Sequence, residues 1–393
     1  MLARTKLKDA ITKLYEKEQF SPSEWYKSGQ SPFTDGFSPS STWSLPYNSL
    51  NSQVWNITGQ GLVMFQIEWL AVLVEDMQIN PADVVFFSDH KRKTALAQGL
   101  GVKVVTDIKE LLTMKFNYML KNAPYDKGIQ VGIDLPFTNI GPHSAFSVIA
   151  DTVLENGGIC FDVLPCNFMC LPSAKGYRNW LLENFEVLNI TLWDNSQKQV
   201  FDINLSDVLT IVTRKTNKPK NNMVEWVAYN SAPFTVDLTR YEFWPMYRSP
   251  LSVPILDAVM SSKVQDIQHF NEYKQDDPKT HPTSHILSAN LARVGARQNP
   301  EPHKQFVNGV LKNVGQPIWL GYSSAQEKDY QFEWMSTKHY AYVLSMVQTT
   351  PKNQPYLFSL LGEHGFANND FYSHFKVTPT QDQEIQQWYQ SIK

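Results

Sequence analysis

Residues 83–122 read DVVFFSDHKRKTALAQGLGVKVVTDIKELLTMKFNYMLKN, in which three short apolar runs alternate with helix-forming stretches. The runs at 83–89, 102–107 and 116–122 are rich in β-branched and aromatic residues, which predicts strands buried on both faces. A helix around Thr94 to Gly99 should connect the first two strands. Strands separated by helices in this way predict an α/β fold with a doubly wound, mostly parallel sheet.

The same alternation continues on both sides of this stretch. Before it, QVWNIT at 53–58 predicts the first strand, and an apolar stretch from Gly61 to Met77 predicts the helix after that strand. After it, the pattern predicts a helix from Ala145 to Asn156, a strand at 159–165, a helix from Tyr177 to Asn184, and strands at 187–193 and 208–215. The first half of the chain therefore predicts one α/β domain.

Composition indicates a globular protein with two domains. The chain has 393 residues, of which 42% are hydrophobic and 19% are charged. No apolar run approaches the roughly 20 residues that cross a bilayer, and the first 20 residues read as a charged amphipathic helix, so we expect a cytoplasmic protein. Because the net charge is −3, any affinity for nucleic acid must come from a local basic patch.

Cysteine usage predicts neither a zinc site nor a disulfide framework. Cys160, Cys166 and Cys170 lie close together in the sequence, but no group of cysteines and histidines has zinc spacing. We therefore expect three small buried hydrophobic side chains.

The character of the sequence changes after Lys215. TNKPKNN at 216–222 is a polar stretch typical of a linker, and the elements beyond it are shorter and less regular. We predict two domains, residues 1–225 and residues 226–393. Residues 378–393 predict a final helix, with Thr380 as N-cap and Gln383 three residues later.

Ligands of an open parallel sheet bind beyond the carboxyl ends of its strands. Gly59 and Gly61 should form a turn after the first strand that brings the backbone close to a ligand. Asp89 and Asp107 follow the next two strands, where an acid can accept hydrogen bonds from a ribose or an adenine amine. Each aspartate taken alone also fits a helix N-cap. The combination predicts a cofactor that contains adenosine.

Asn122, Ala123, Pro124 and Tyr125 follow the fourth strand and should reach the same edge. Here the sequence resembles the class I S-adenosylmethionine-dependent amino-methyltransferases of DNA, whose motif is Asn or Asp, Pro, Pro, then Tyr or Phe. The order of motifs is similar to the gamma arrangement of that family. The resemblance implies a Rossmann-like mixed sheet of seven strands in a catalytic domain, followed by an α+β target-recognition domain.

The resemblance also implies a reaction, methyl transfer from S-adenosylmethionine to the N6 amine of an adenine flipped out of double-stranded DNA. The Asn122 side chain and the Ala123 carbonyl would accept the two amine hydrogens, Pro124 would stiffen the loop, and Tyr125 would stack on the base. Phe201 would pack on the other face of the base. The cofactor-binding residues implied are Asn56, Thr58, Gly59, Gly61, Asp89 and Asp107.

The family's usual setting is the cytoplasm of a bacterium or of a phage-infected cell, as part of a restriction-modification system. The resemblance therefore implies DNA and a cognate restriction enzyme as partners, with the protein a monomer or a dimer. No membrane partner is expected.

Two positions depart from the family motifs. Ala123 stands where the family has proline, and Asn56 stands at the acidic position of the glycine motif, so a binding protein that has lost catalysis is an alternative. A second motif, Asp134-Leu-Pro-Phe137, resembles the Asp-Pro-Pro-Phe form, although its surroundings predict a loop. RNA adenine and protein glutamine are alternative substrates. An NAD or nucleotide-sugar enzyme on a similar sheet is a further alternative, but this sequence lacks the full three-glycine pattern of such enzymes, and the alternative gives residues 122–125 no role.

Overall fold

The computed structural model describes residues 57–123, 131–193, 208–217, 221–228, 231–265, 324–349, 357 and 360–391, and the strands at 268–270, 285–290, 303–306 and 318–322. The predicted positions Asn56, Pro124, Tyr125 and Phe201 lie outside these residues. No helix in the described part of the chain has the length and apolar character needed to cross a membrane.

Nine strands build the large sheet, and helices connect most of them. The strands are β1 (Gly61–Met64), β2 (Val84–Phe87), β3 (Lys103–Val105), β4 (Phe116–Lys121), β5 (Leu154–Pro165), β6 (Phe185–Trp193), β7 (Val208–Lys215), β8 (Met223–Ala228) and β9 (Phe234–Asp237). The helices are α1 (Glu68–Ala71), which continues as a π-helical segment (Val72–Asp76), α2 (Lys91–Gly99), α3 (Ile108–Leu111), α4 (Pro142–Val153), α5 (Asn167–Cys170) and α6 (Lys175–Asn184).

The spatial order of the strands is β3-β2-β1-β4-β5-β7-β6-β8-β9. The first five strands in this order are mutually parallel, and β7 runs antiparallel between β5 and β6. The predicted Rossmann-like mixed sheet of seven strands is therefore present. It continues through β8, parallel to β6, and β9, antiparallel to β8.

The predicted helix from Gly61 to Met77 is wrong in position, and most of the strand predicted at 53–58 lies outside the described residues. The chain forms β1 at Gly61–Met64, inside the stretch predicted to be helical, and α1 begins only at Glu68. All four residues of β1 are buried because β2 and β4 flank it and helices cover both faces of the sheet. A short apolar run of this kind has the same pattern in a buried strand and in a buried helix, which explains the error.

Separate hydrophobic cores lie on the two faces of the sheet. Helices α4 and α6 contribute Phe146 and Tyr177 to one core, and α1 and α2 contribute Trp69 and Ala97 to the other. The three cysteines are buried and free, as predicted. This two-faced covering explains why the parallel strands are apolar on both sides.

The second half of the chain packs against the first through the same core that contains α4 and α6. Its described elements are α7 (Ser252–Ser261), β10 (Lys263–Gln265), β11 (Gln268–Phe270), β12 (His285–Asn290), β13 (His303–Phe306), β14 (Ile318–Tyr322), α8 (Ala325–Met335), α9 (Lys338–Val347), β15 (Glu363–His364), α10 (Phe371–His374) and α11 (Pro379–Ser391). The mixture of helices and small antiparallel sheets is of the α+β type. The backbone of Met246 donates to the carbonyl of Met346 at 2.7 Å, which ties α9 to the segment after β9.

The predicted division between residues 225 and 226 falls inside β8. Because β8 and β9 extend the large sheet, that sheet reaches Asp237. Assignment of the remaining residues to target recognition stays a prediction.

The final helix begins at Pro379, close to its predicted start. Its cap is Thr378, whose hydroxyl accepts from the Gln381 backbone at 3.3 Å while the Gln381 side chain accepts from the Thr378 backbone at 2.8 Å. The predicted capping box is therefore present, two residues earlier than expected, because Pro379 suits the first helical position.

Candidate functional site

The carboxyl ends of β1, β2, β3 and β4 lie side by side at one edge of the sheet. In register, Met64 of β1 pairs with Phe87 of β2 and with Lys121 of β4, and Phe87 pairs with Val105 of β3. The residues that follow these four strands therefore share one edge, which we call the carboxyl edge. This edge is where an open α/β sheet binds its ligands.

Asn122 lies at the carboxyl edge, directly after β4, as predicted. Its side chain is buried, and its Nδ2 donates to Oε1 of Gln66 at 3.0 Å. Ala123 is also buried and packs into the core. The polar amide is therefore held at the end of a central strand by Gln66, which lies two residues beyond β1.

Asp89 lies two residues beyond β2 and is exposed at the carboxyl edge. The alternative interpretation of Asp89 as a helix cap is wrong, since the cap of α2 is His90, whose Nδ1 accepts from the Lys93 backbone at 3.4 Å. The Asp89 side chain is thus exposed to solvent at the carboxyl edge.

Asp107 lies two residues beyond β3 and is also exposed. Here the helix-cap interpretation is confirmed, because Oδ1 accepts from the Lys109 backbone at 2.9 Å and so caps α3. A carboxylate has two oxygens, so capping by Oδ1 is compatible with ligand binding through Oδ2.

Thr58, Gly59 and Gly61 lie at the opposite edge of the sheet. Gly61 is the first residue of β1 and pairs with the first residue of β2, Val84. Thr58 and Gly59 precede it. The prediction that the two glycines form the turn between the first strand and its helix is therefore wrong, and the structure does not bring them together with Asn122 or Asp89.

Close packing against β4 explains both glycines. A Cβ atom on Gly61 would lie 2.1 Å from the ring of Tyr118, and a Cβ on Gly59 would lie 2.1 Å from Oδ1 of Asn117. That same Oδ1 accepts from the Gln60 backbone at 2.9 Å. The glycines therefore allow the start of β4 to approach the start of β1.

The turn that does follow β1 contains no glycine; Phe65 and Gln66 follow the strand directly. Phe65 has a φ of 68°, in the left-handed region that residues other than glycine rarely adopt. Three hydrogen bonds hold this β1 turn: Phe65 N–H to Phe87 O at 2.9 Å, Gln66 N–H to Met64 O at 2.8 Å, and Lys93 Nζ to Phe65 O at 2.7 Å. A strained residue fixed so firmly is typical of functional turns.

The Phe65 side chain also helps to anchor the turn. Its ring packs edge-on against Phe87 at 5.6 Å and against Phe146 of α4 at 4.9 Å. Buried aromatic pairs in this geometry contribute beyond simple area burial. The ring therefore fixes the turn between the end of β2 and the start of α4.

A buried polar cluster lies beneath Asn122 on the α4 side of the sheet. Lys121 forms an ion pair with Asp162 of β5, its register partner, and its Nζ donates to Ser147 at 3.2 Å. The hydroxyls of Ser147 and Tyr177 share a hydrogen bond of 2.8 Å. Burial raises the pKa of Asp162 to about 6, against the opposing effect of the Lys121 charge.

These residues line a cavity of about 10 Å³ together with Cys160 and Thr213. This volume accommodates about one water molecule. The cluster ties the carboxyl end of β4 to β5 and to helices α4 and α6, which holds Asn122 in place.

The second motif forms a loop at 131–140, as predicted. Asp134 is exposed, while Phe137 packs on Tyr177 at 5.2 Å and on Trp180 at 5.4 Å. The aromatic residue of this motif therefore contacts α6.

Gln66, Lys93 and Asp162 are among the polar residues of this region that the sequence prediction missed. The signal for Gln66 was available, because GLVMF at 61–65 is a short apolar run followed by a polar residue. Lys93 and Asp162 carried no such signal, since an isolated charge in a helix or strand usually faces solvent.

No protein-family model matches the chain, and no curated protein matches it in sequence. Several solved structures are similar in fold. A class I S-adenosylmethionine-dependent methyltransferase from Listeria monocytogenes is 12% identical over 54% of this chain and 74% of that chain, with a TM-score of 0.41. The type IIG restriction endonuclease BpuSI is 9% identical over 84% of this chain and 58% of that chain, with a TM-score of 0.43.

A type I restriction-modification methyltransferase subunit from Streptococcus thermophilus is 17% identical, with a TM-score of 0.37. The match covers 50% of this chain and 47% of that subunit. All three TM-scores lie below 0.5.

Proposed function

We propose that the protein transfers a methyl group from S-adenosylmethionine to the N6 amine of an adenine flipped out of double-stranded DNA. The observation that supports this proposal most directly is the place of Asn122, buried and hydrogen-bonded at the carboxyl end of the central strand β4. Asp89 and Asp107 follow the strands on the far side of β1 at the same edge. The site for the adenosine of the cofactor and the groups that accept the hydrogens of the substrate amine would thus be neighbours.

The chemistry of the adenine amine, which receives the methyl group, explains the need for the Asn122 amide. The lone pair of an exocyclic adenine amine is delocalised into the ring, which makes the nitrogen a poor nucleophile. The Asn122 side-chain oxygen and the Ala123 carbonyl would accept the two amine hydrogens and favour a pyramidal, more nucleophilic nitrogen. Tyr125 would stack on the extruded base, Pro124 would restrict the loop, and Phe201 would pack on the other face of the base.

The residues at the ends of β2 and β3 fit the adenosine part of the cofactor. Asp89 would accept from the ribose hydroxyls and Asp107, through Oδ2, from the adenine amine. S-adenosylmethionine, when bound, supplies an electrophilic methyl group on a sulfonium. Thr58, Gly59 and Gly61 are at the wrong edge for this cofactor, so we assign its methionine part to the β1 turn at Phe65 and Gln66.

A second candidate is a DNA-binding protein of the same fold without methyl transfer. The β1 turn favours it, because Phe65 stands in a glycine-type conformation and the buried ammonium of Lys93 contacts its carbonyl. A turn without glycine leaves less room for its backbone to approach a cofactor. The two candidates differ in whether the chain binds S-adenosylmethionine.

Transfer of tritium from labelled S-adenosylmethionine to unmethylated duplex DNA tests the proposal, with the modified nucleoside identified by mass spectrometry after digestion. We expect N6-methyladenine from the wild type. Asn122→Ala should lower transfer by about 100-fold or more, as for the loss of one catalytic hydrogen bond. Asn221→Ala is the matched control: this exposed asparagine precedes β8 at the opposite edge, and its loss should leave transfer unchanged.

Other results separate the alternatives. Tritium found only in RNA or in protein glutamine would assign a different substrate to the same site. If DNA bound, but S-adenosylmethionine gave no heat in calorimetry and no label was transferred, the second candidate would hold. The same proposal includes a cognate restriction enzyme as a partner. It also includes a monomeric or dimeric state, which light scattering of the full chain checks.

A further inference from the structure

Gln66 and Asn122 form a hydrogen bond between the carboxyl ends of two adjacent parallel strands. Gln66 lies two residues beyond β1 and Asn122 one residue beyond β4. Both side chains are almost fully buried, with exposed fractions of 3% and 2%. Nδ2 of Asn122 donates and Oε1 of Gln66 accepts, at 3.0 Å.

The position of Gln66 is set by the β1 turn. The positive φ of Phe65 turns the chain, and the bonds from Phe65 N–H to Phe87 O and from Lys93 Nζ to Phe65 O fix that conformation. Gln66 therefore presents its carboxamide from a fixed backbone, and the strained backbone conformation is that of its neighbour Phe65.

We propose that Gln66 is a positioning residue, which holds the Asn122 amide with its nitrogen toward β1 and its oxygen turned away from Gln66. This inference rests on the proposed function, in which that oxygen accepts a hydrogen from the substrate amine. The planar amide has one donor branch and one acceptor branch, so fixing the nitrogen also fixes the oxygen. An amide rotated by half a turn would offer N–H groups to an amine that is itself a donor.

This role predicts a specific dependence between the two residues. An asparagine needs a partner that selects one of its two orientations, whereas a carboxylate presents an oxygen on either branch. Loss of Gln66 should therefore harm the enzyme when residue 122 is asparagine and have little effect when it is aspartate.

Steady-state methyl transfer by four full-length proteins tests this dependence: wild type, Gln66→Met, Asn122→Asp, and the double variant. Methionine keeps the volume of glutamine and removes its acceptor. We expect Gln66→Met to lower kcat about 10-fold or more, with the KM for DNA changed less than about 3-fold. In the Asn122→Asp background the same substitution should change kcat by less than about 3-fold.

An equal loss of kcat in both backgrounds would overturn the inference, because a purely structural role of Gln66 would not depend on residue 122. Gln66→Glu, which retains an acceptor, should recover most of the kcat lost in Gln66→Met when assayed above the pKa of the introduced carboxyl. Failure of this conservative variant in a folded protein would also count against orientation by an acceptor.

Nuclear magnetic resonance of asparagine-labelled protein tests the orientation without any assay of activity. The Asn122 amide hydrogens should show close contacts to Gln66 and slow exchange, and both should disappear in Gln66→Met. Contacts that place the Gln66 nitrogen against the Asn122 oxygen would overturn the inference even in an active enzyme. An inactive wild type with the expected orientation would instead reject the proposed function and retain the role of Gln66 in orienting Asn122.

Discussion

At the scale of single residues, the two aspartates at the carboxyl edge have different surroundings. One carboxylate oxygen of Asp107 caps α3, whereas α2 is capped by His90 and not by Asp89. Sequence analysis placed Asp89, Asp107, Asn122 and Ala123 at strand ends correctly, because each follows an apolar run with a clear limit. It missed Gln66, whose position depends on which short run forms β1.

Asp89 should make the larger contribution to cofactor binding. Asp89→Asn removes the charged acceptor proposed for the ribose, so we expect S-adenosylmethionine affinity to fall about 10- to 100-fold, the range for one hydrogen bond to a charged group. Isothermal titration calorimetry measures this change. Asp83→Asn is the control, because Asp83 immediately precedes β2 at its other end and contacts Gln60. Equal losses in both variants would remove Asp89 from the site.

At the scale of elements, the β1 strand shows where pattern reading reaches its limit. Its sequence GLVM is too short to reveal a period, and only pairing with β2 and β4 identifies it as a strand. Strands β2 to β7 were recognisable because they are flanked by helices with polar faces or by turns. The glycines at 59 and 61 were real signals of close backbone approach, but the element that approaches is β4.

Gly61→Ala tests this structural role. The added methyl would meet the Tyr118 ring, so we expect the free energy of unfolding to fall by about 1–3 kcal/mol, as for an overpacked core. Urea denaturation measures the loss. Gly99→Ala is the matched control, since a Cβ there would meet nothing within 4 Å and alanine is the better helix former, so its free energy of unfolding should stay unchanged or rise by up to about 1 kcal/mol.

The same pair of variants separates packing from binding. In folded Gly61→Ala, affinity for S-adenosylmethionine should match that of Gly99→Ala. A selective loss of affinity without a loss of stability would return Gly61 to the cofactor site.

At the scale of the whole molecule, the second half contains a buried aromatic cluster that includes histidines. The His339 ring lies 5.2 Å from the ring of Phe375 and 5.7 Å from that of Tyr372. Burial, opposed by the charge of Asp382 and reinforced by that of His364, lowers the pKa of His339 to about 4. The composition of this half revealed histidines and aromatics but not their burial, which depends on the packing of α8, α9 and α10.

Acid should therefore destabilise the protein through His339. Because its pKa is about 4 in the folded state and about 6.5 in the unfolded state, the unfolded chain binds more protons between these values. The stabilising contribution of neutral His339 is complete above pH 6.5 and is lost as pH falls toward 4. Across that window we expect a loss of about 3 kcal/mol from this residue.

Urea unfolding of wild type and His339→Phe at several pH values between 4 and 7.5 checks this contribution. The difference between the two proteins removes the contribution of Asp162, whose raised pKa acts in the opposite direction and is common to both. The variant should lose less stability in acid. Parallel curves would show that His339 does not contribute.

The two outer strands of the large sheet are β3, with three residues, and β9, with four. Lys103 at the start of β3 is exposed, and its ammonium lies 3.3 Å from Glu110. Short outer strands with charged residues offer few unpaired backbone groups to a strand of another molecule. Lengthening either outer strand with a β-branched segment should therefore promote fibril formation or precipitation when the protein is concentrated.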